Sequence, residues 1–275
     1  MDRVLCERYR LIRRIGVGAA AAVFRAEDLK LSRQVAVKIF SADVTDVQRQ
    51  EQELRALAKL QHPFLISLFD CGVCDSDLDG PRAFMVMELI EGSDLRELLV
   101  APEASGGLAA PRVAKLGWAL AQALLAVHSA GVVHRDVKPA NILLGRSELP
   151  ILCDFGIARL HDSAEATSPG LTIGTASYLS PEQALGEPVH SSADIYSLGL
   201  VLLECLSGDK AFPGSALESS IARLLHDPAI PQELEGYWPE LLTAMTARNP
   251  SERPQAAECA EALFELQIRQ AAHAG

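Results

Sequence analysis

Little in the chain would tie it to a membrane, a disulfide scaffold or a nucleic acid. Aromatic residues make up only 5% of its 275 residues. Its most apolar stretches, 116–128 and 195–206, fall short of the ~18–20 residues that a bilayer span requires, and read instead as buried helices. The first residues, Met1-Asp2-Arg3 followed by Glu7, Arg8 and Arg10, lack the apolar core of a secretory signal. A cytoplasmic location without a membrane partner is therefore expected. The six cysteines, Cys6, Cys71, Cys74, Cys153, Cys205 and Cys259, are scattered too widely for a disulfide framework. Cys71 and Cys74 form a lone C-x-x-C with no second pair to complete a zinc site. Basic charge is in deficit. A net charge of -11 repels phosphate backbones, which argues against nucleic acid as a partner and weakly favours basic proteins.

What is present suits a globular chain with a sizeable core: 49% hydrophobic and 22% charged residues. The first third reads as short β-branched strands over 10–15, 22–28, 35–40, 64–69 and 83–89, with a hairpin loop at 75–81. One helix over 46–60 interrupts them. After Glu91-Gly92 the pattern becomes helical, over 94–99, 111–129, 192–207, 215–225 and 256–270, with a small strand region within 132–152. No sensor segment follows the last helix in these residues. The pattern is α+β: a β-rich lobe over 1–91 and a helical lobe over 92–275, joined near 88–92. Ligands favour such junctions.

Several segments carry chemistry. Ile15-Gly16-Val17-Gly18-Ala19-Ala20-Ala21-Ala22-Val23 lies between two expected strands, where glycines let backbone N–H groups approach a phosphate. By itself it is equally a tight hairpin. Val35-Ala36-Val37-Lys38 places a lysine in an apolar strand, which is costly unless an anion pairs with it. Glu51 and Glu53 on the following helix are both candidates for that pairing. His134-Arg135-Asp136-Val137-Lys138-Pro139-Ala140-Asn141 packs a carboxylate, two cations and an amide into one loop between apolar strands. The Asp136 carboxylate can accept the proton of an attacking hydroxyl, Lys138 can stabilise charge on a transferred group, and Asn141 can give an oxygen to a hard cation. Cys153-Asp154-Phe155-Gly156 sets a carboxylate after the apolar Ile151-Leu152, so a metal ion is its expected charge partner. Asp75-Ser76-Asp77-Leu78-Asp79-Gly80 begins like a calcium loop but has Val86 where the final glutamate belongs, and reads as a solvated hairpin.

These motifs, in this order and at this spacing, resemble the eukaryotic-type protein serine/threonine kinase family, in its bacterial branch, over about residues 9 to 268. The resemblance implies a bilobal protein-kinase fold, ATP as phosphoryl donor, Mg²⁺ with Mn²⁺ as a substitute, and protein substrates. It implies that Lys38 binds the α- and β-phosphates with Glu53 as its helix partner, that Asp136 is the catalytic base, that Lys138 contacts the γ-phosphate, and that Asn141 and Asp154 hold the metal. For ATP it implies a phosphate loop of Ile15, Gly16, Val17, Gly18 and Ala21. Val23 and Ala36 form the adenine roof and Leu143 its floor. Met87 is the gatekeeper, Glu88 and Ile90 supply hinge groups, and Asp94 contacts ribose. Leu57, Leu68, His134 and Phe155 would stack between the lobes above Asp194. The activation segment runs from Asp154 to Glu182. It ends in Ser180-Pro181-Glu182, with Glu182 paired to Arg253, and Gly174-Thr175 marks the Ser/Thr class. Arg135 before Asp136 implies control by autophosphorylation at Thr167, Ser168 or Thr172, which between molecules requires at least a transient homodimer.

Two departures from the family pattern stand out. Ala21 replaces the third glycine of the phosphate loop, and alanine resists positive φ. Ala140 replaces an acidic residue of basophilic relatives. The competing readings are a pseudokinase scaffold, which would require a missing catalytic residue where none is missing, and a small-molecule kinase, which the P-E motif and Gly174-Thr175 oppose. Cys153 reads as packing beside the ATP pocket, and as a handle for an electrophile there.

Overall fold

In the computed structural model the described residues are 3–18, 21–41, 60–76, 80–104, 106–146, 148–155 and 176–273. The fold is α+β. The chain divides into two compact units, Met1–Glu91 and Gly92–Gly275.

The first unit is a six-stranded antiparallel sheet in the order β1-β2-β3-β4-β6-β5. Its strands are β1 (Arg3–Leu5), β2 (Tyr9–Val17), β3 (Ala21–Asp28), β4 (Arg33–Phe40), β5 (Leu68–Ser76) and β6 (Gly80–Glu88). Alternation decides which side chains are enclosed. In β4 the odd positions Val35, Val37 and Ile39 join Leu5, Tyr9, Ala26, Phe84 and Val86 in one closed apolar cluster. Each valine, leucine, isoleucine or phenylalanine among them contributes about 1.5–3 kcal/mol by leaving water. The even positions, including Ala36 and Lys38, take the opposite face.

Three sequence expectations need correction in this unit. β1 was not foreseen, because three residues carry too little alternation to detect. The strand expected at 64–69 begins only at Leu68. The residues before it turn, with Leu65 N–H bonded to His62 O at 3.0 Å. Leu65 and Ile66 are buried there as an apolar plug that mimics a strand in sequence. The hairpin loop expected at 75–81 is mostly strand, since Asp75 pairs with Pro81 and Ser76 with Gly80. Alternation also puts Cys71 and Cys74 on opposite faces of β5, so they are not a chelating pair. The helix expected at 46–60 lies outside the described residues.

The second unit holds a small sheet, β7 (Gly92–Asp94), β8 (Ile142–Gly145) and β9 (Pro150–Leu152). Its α-helices are α1 (Leu95–Leu99), α2 (Ala110–Ser129), α3 (Pro181–Leu185), α4 (Ser191–Ser207), α5 (Ala216–Leu225), α6 (Trp238–Met245) and α7 (Ala256–His273). α4 is buried continuously from Ala193 to Leu206, as befits a helix apolar on every side. It ends at Gly208, whose φ of 82° gives the left-handed cap. α2 approaches it closely at Gly117, where a Cβ would lie 2.9 Å from Leu202 and 3.1 Å from Leu263. The sequence reading missed α3 and α6, both of which start with a proline in the first turn.

Candidate active site

The phosphate-handling residues of the first unit are placed by strand register. Directly opposed residues share a face. Gly16 opposes Val23, Val23 opposes Lys38, and Ala36 opposes Met87. These five therefore line the face turned away from the closed apolar cluster. Lys38 Nζ sits 5.6 Å from the Phe40 ring centroid on that face. A β-bulge between Arg14 and Gly16 leaves Ile15 as the extra residue. Ile15 and Val17 are 41% and 69% exposed. Gly18 N–H closes that turn on Ala21 O at 2.8 Å.

Neither Gly16 nor Gly18 has a positive φ, and a Cβ at either would meet its nearest chain atom at an ordinary 3.6 or 3.7 Å. The chain's own geometry does not demand glycine here. The space a Cβ would fill fits the close approach of a ligand instead. Ala21 opens β3 opposite Phe40 without a positive φ, so alanine costs nothing at the third glycine position. At the end of β6, Glu88 N–H donates to Ser67 O at 2.9 Å. Ile90 follows, half-buried.

In the second unit the loop 134–141 is built around Asp136. Its Oδ2 accepts Lys138 Nζ at 2.7 Å and Asn141 Nδ2 at 2.8 Å. Asn141 Nδ2 also reaches the Asp136 carbonyl at 2.8 Å and the Asp154 carbonyl at 3.4 Å. With its nitrogen turned to three acceptors, the amide must present its oxygen the other way. Asn141 is held there by a 3-10 turn, Pro139–Asn141, and by Cys153 N–H on its carbonyl at 2.9 Å. Cys153 itself is buried packing.

The loop is anchored from within the same unit. Asp194 is 1% exposed; Oδ2 accepts the His134 backbone N–H and Oδ1 that of Arg135, both at 2.8 Å. His128 Nε2 meets Oδ2 at 2.8 Å. The fully buried His134 ring accepts the Asp136 N–H at Nδ1 (3.3 Å), so Nε2 is the donor to Cys153 O (3.1 Å). Burial pushes its pKa below the ordinary 6.5, which keeps the ring neutral. Arg135 and Asp154 have φ of 66° and 59°. Such left-handed backbone costs of order 1–3 kcal/mol and persists only where surroundings fix it. Here Gln183 Nε2 holds the Arg135 carbonyl at 2.9 Å and Asn141 reaches that of Asp154.

Other expected residues are placed as follows. Asp94 opposes Leu143 across β7 and β8. It is the N-cap of α1 rather than a residue within it, as its Oδ1 accepts Glu97 N–H at 2.8 Å while Oδ2 holds Arg96 at 3.0 Å. His134 and Phe155 stack with centroids 4.8 Å apart. Leu68 lies on β5 of the first unit, opposite Met87. Glu182 and Arg253 form a two-pronged buried pair at 2.7 and 2.9 Å. Glu51, Glu53, Leu57, Thr167, Ser168, Thr172 and Thr175 lie outside the described residues. The sequence reading passed over Gln183 and His128. A signal for Gln183 existed in Ser180-Pro181-Glu182-Gln183, the spacing of a capping box, which the structure contains.

The donor set near Asp136 fits a hard divalent cation. It comprises the outward amide oxygen of Asn141 and the carboxylate of Asp154, oxygen ligands of the kind Mg²⁺ selects. Comparison with known proteins shows the family. Residues 9–264 match the family model described as protein kinase domain. Serine/threonine-protein kinase PknA of Mycobacterium tuberculosis is 37% identical over 255 residues, covering 90% of this chain and 58% of its own. PknB of Mycolicibacterium smegmatis is 38% identical over 264 residues, covering 92% and 42%. PknL of Mycobacterium tuberculosis is 38% identical over 259 residues, covering 91% and 63%. This chain thus spans roughly half the length of those curated relatives. Over nearly all of its own length, it belongs to the protein kinase family, in the bacterial eukaryotic-type serine/threonine branch.

Proposed function

We propose that the chain transfers the γ-phosphoryl group of ATP to serine and threonine hydroxyls of proteins. The observation that carries this reading is the Asp136 carboxylate, fixed through one oxygen by Lys138 and Asn141 inside a loop anchored on Asp194. The substrate hydroxyl oxygen attacks the γ-phosphorus as the bond to the ADP oxygen breaks. Asp136 orients that hydroxyl and takes its proton. Lys138 stabilises the charge on the moving phosphoryl group. Lys38, with Glu53 as its carboxylate partner, holds the α- and β-phosphates. Gly16 and Gly18 leave room above them, and Val23, Ala36, Met87 and Leu143 form the adenine site. Asn141 and Asp154 would hold Mg²⁺, or Mn²⁺ in its place, which neutralises phosphate charge. The names of the relatives support the serine/threonine specificity.

The reading extends to regulation. Phosphate on Thr167, Ser168 or Thr172, added by a second copy in a transient dimer, would pair with Arg135 and order the segment before Glu182. ATP places this activity in the cytoplasm. The test is intact mass after incubation with ATP and Mg²⁺. Wild type is expected to gain phosphate within 156–175, while Asp136→Asn and Lys38→Met gain none, a loss of about a thousandfold or more. Equal incorporation by Asp136→Asn would remove the base assignment.

A further inference from the structure

Helix α5 is turned inside out in polarity. Its buried residues are Ser219 and Arg223, one turn apart and both 0% exposed. Leu217, Ile221 and Leu225 stand 70%, 48% and 69% exposed. A buried guanidinium normally comes with a carboxylate, because removing a cation from water costs several kcal/mol. Arg223 bonds instead to uncharged groups. Nη1 donates to the Leu179 carbonyl, and Nη2 to the Ala176 carbonyl and, at 2.7 Å, to Ser219 Oγ. Nε donates to Ser219 O at 3.1 Å. The Phe212 ring lies 5.1 Å from the guanidinium. Burial lowers the Arg223 pKa to about 10, so the cation persists at neutral pH despite its cost.

The two carbonyls that Arg223 holds in the short helix Ala176–Tyr178 and at Leu179 bracket Tyr178. Tyr178 is fixed at its other atoms by Ser197 Oγ on its carbonyl at 2.8 Å and by its hydroxyl on Glu204 at 2.5 Å. Tyr178, Leu179 and Gln183 line the same small crevice as Arg135, Asp136 and Val137. This stretch is therefore the part of 176–185 that stands beside the Asp136 loop; on the protein kinase reading, the chain carrying the acceptor hydroxyl has to reach that carboxylate.

We propose that Arg223 is a positioning residue for the protein substrate: it sets the Ala176–Leu179 stretch against the Asp136 loop so that a substrate chain docks in register. This rests on the protein kinase reading. The residue touches neither ATP nor the reacting atoms, so its removal should act on the protein substrate's KM and leave ATP's alone. An apolar replacement of similar length relieves the buried charge but leaves the Leu179 and Ala176 carbonyls without that donor, so the loss of stability should be modest.

The test is steady-state phosphorylation of myelin basic protein by wild type, Arg223→Met and Arg223→Lys, with thermal melting and amide exchange over 176–185. The expected result for Arg223→Met is a KM for the protein raised by about tenfold or more, the worth of at least one of the two charge-assisted carbonyl bonds it removes, and faster exchange over 176–185. Its KM for ATP stays near wild type, and its melting temperature falls by no more than a few degrees. Arg223→Lys, which can keep one carbonyl bond, should fall between, and decides the matter if the methionine variant does not fold. Unchanged KM for the protein, or a fall in melting temperature and kcat with KM unmoved, would overturn the proposal. A folded wild type that transfers no phosphate would overturn the kinase reading, and the substrate role with it. Unaltered exchange in an active enzyme would overturn only the part assigned to Arg223.

Discussion

Asp28 in the first unit and Asp194 in the second are both buried carboxylates, and they are neutralised in different ways. Asp28 is met by a guanidinium: Arg8 reaches it with Nε at 2.9 Å and Nη2 at 2.8 Å. Arg8 extends to Asp70, whose Oδ2 also takes the Tyr9 hydroxyl at 2.5 Å. Asp194 is met by the backbone N–H groups of His134 and Arg135 and by His128. The Asp28 network joins side chains on elements far apart in sequence, and its Oδ1 also accepts the backbone N–H groups of Lys30 and Leu31 at 3.1 and 3.3 Å in the adjoining turn. Asp194 dictates the path of the chain itself, at a residue whose φ of 66° is otherwise unfavourable. Asp28 is met chiefly by a guanidinium and holds a scaffold with its local turn, whereas Asp194 is met by N–H groups some sixty residues away and holds the loop of Asp136.

Asp194→Ala should widen that contrast most. It removes the acceptor of two backbone donors, and misplacing Asp136 by about 1 Å costs about a hundredfold in kcat. Phosphate transfer rates measured well below the melting temperature check this, and a variant within threefold of wild type (roughly 0.7 kcal/mol) would break the comparison.

Asp28→Asn should cost stability rather than catalysis. Arg8 is partly exposed, so the loss is discounted to about 1–2 kcal/mol, a few degrees in melting temperature. The double replacement Arg8→Met with Asp28→Leu should recover only part of it, because the Lys30 and Leu31 N–H groups lose their acceptor. A double variant as unstable as the single one would show that the network is not exchangeable.

The smallest effect separates the two regions by pH. His134 has its folded pKa lowered by burial, so the unfolded chain takes the proton first. Its contribution is complete above 6.5 and is lost as pH falls below 6.5 toward the lower folded value. Asp28 is lowered from 3.8, chiefly by its bond to Arg8, so its contribution is lost only in more acid solution. Melting temperatures followed downward from neutral pH should show the first decline near 6.5 in wild type and a flatter curve in His134→Asn.

The strand pattern of β4 and the composition of loop 134–141 were legible because each packs its information into adjacent residues. Asp94 was placed inside a helix because its capping bond to Glu97 depends on a φ and ψ that spacing alone does not reveal. The 64–69 stretch misled because buried apolar residues look alike in a turn and in a strand. Arg223 was invisible for a related reason. A serine and an arginine four residues apart beside three aliphatic residues read as a solvent face above a core, and only the fold reverses them.

The alternation of β4 acts as a parity rule on the chain's length. Val35, Val37 and Ile39 occupy the cluster, and Ala36 and Lys38 the other face. Adding or deleting a single residue between Val35 and Lys38 would bring the lysine into hydrocarbon and an aliphatic side chain to its place. Changes of two residues keep the faces but move Lys38 along the strand by about 7 Å. Length variation in this hairpin is therefore confined to the β3–β4 turn at 29–32, where Leu29 and Leu31 already face solvent. A reading frame of two, counted from that turn, decides which side of the sheet the ammonium occupies.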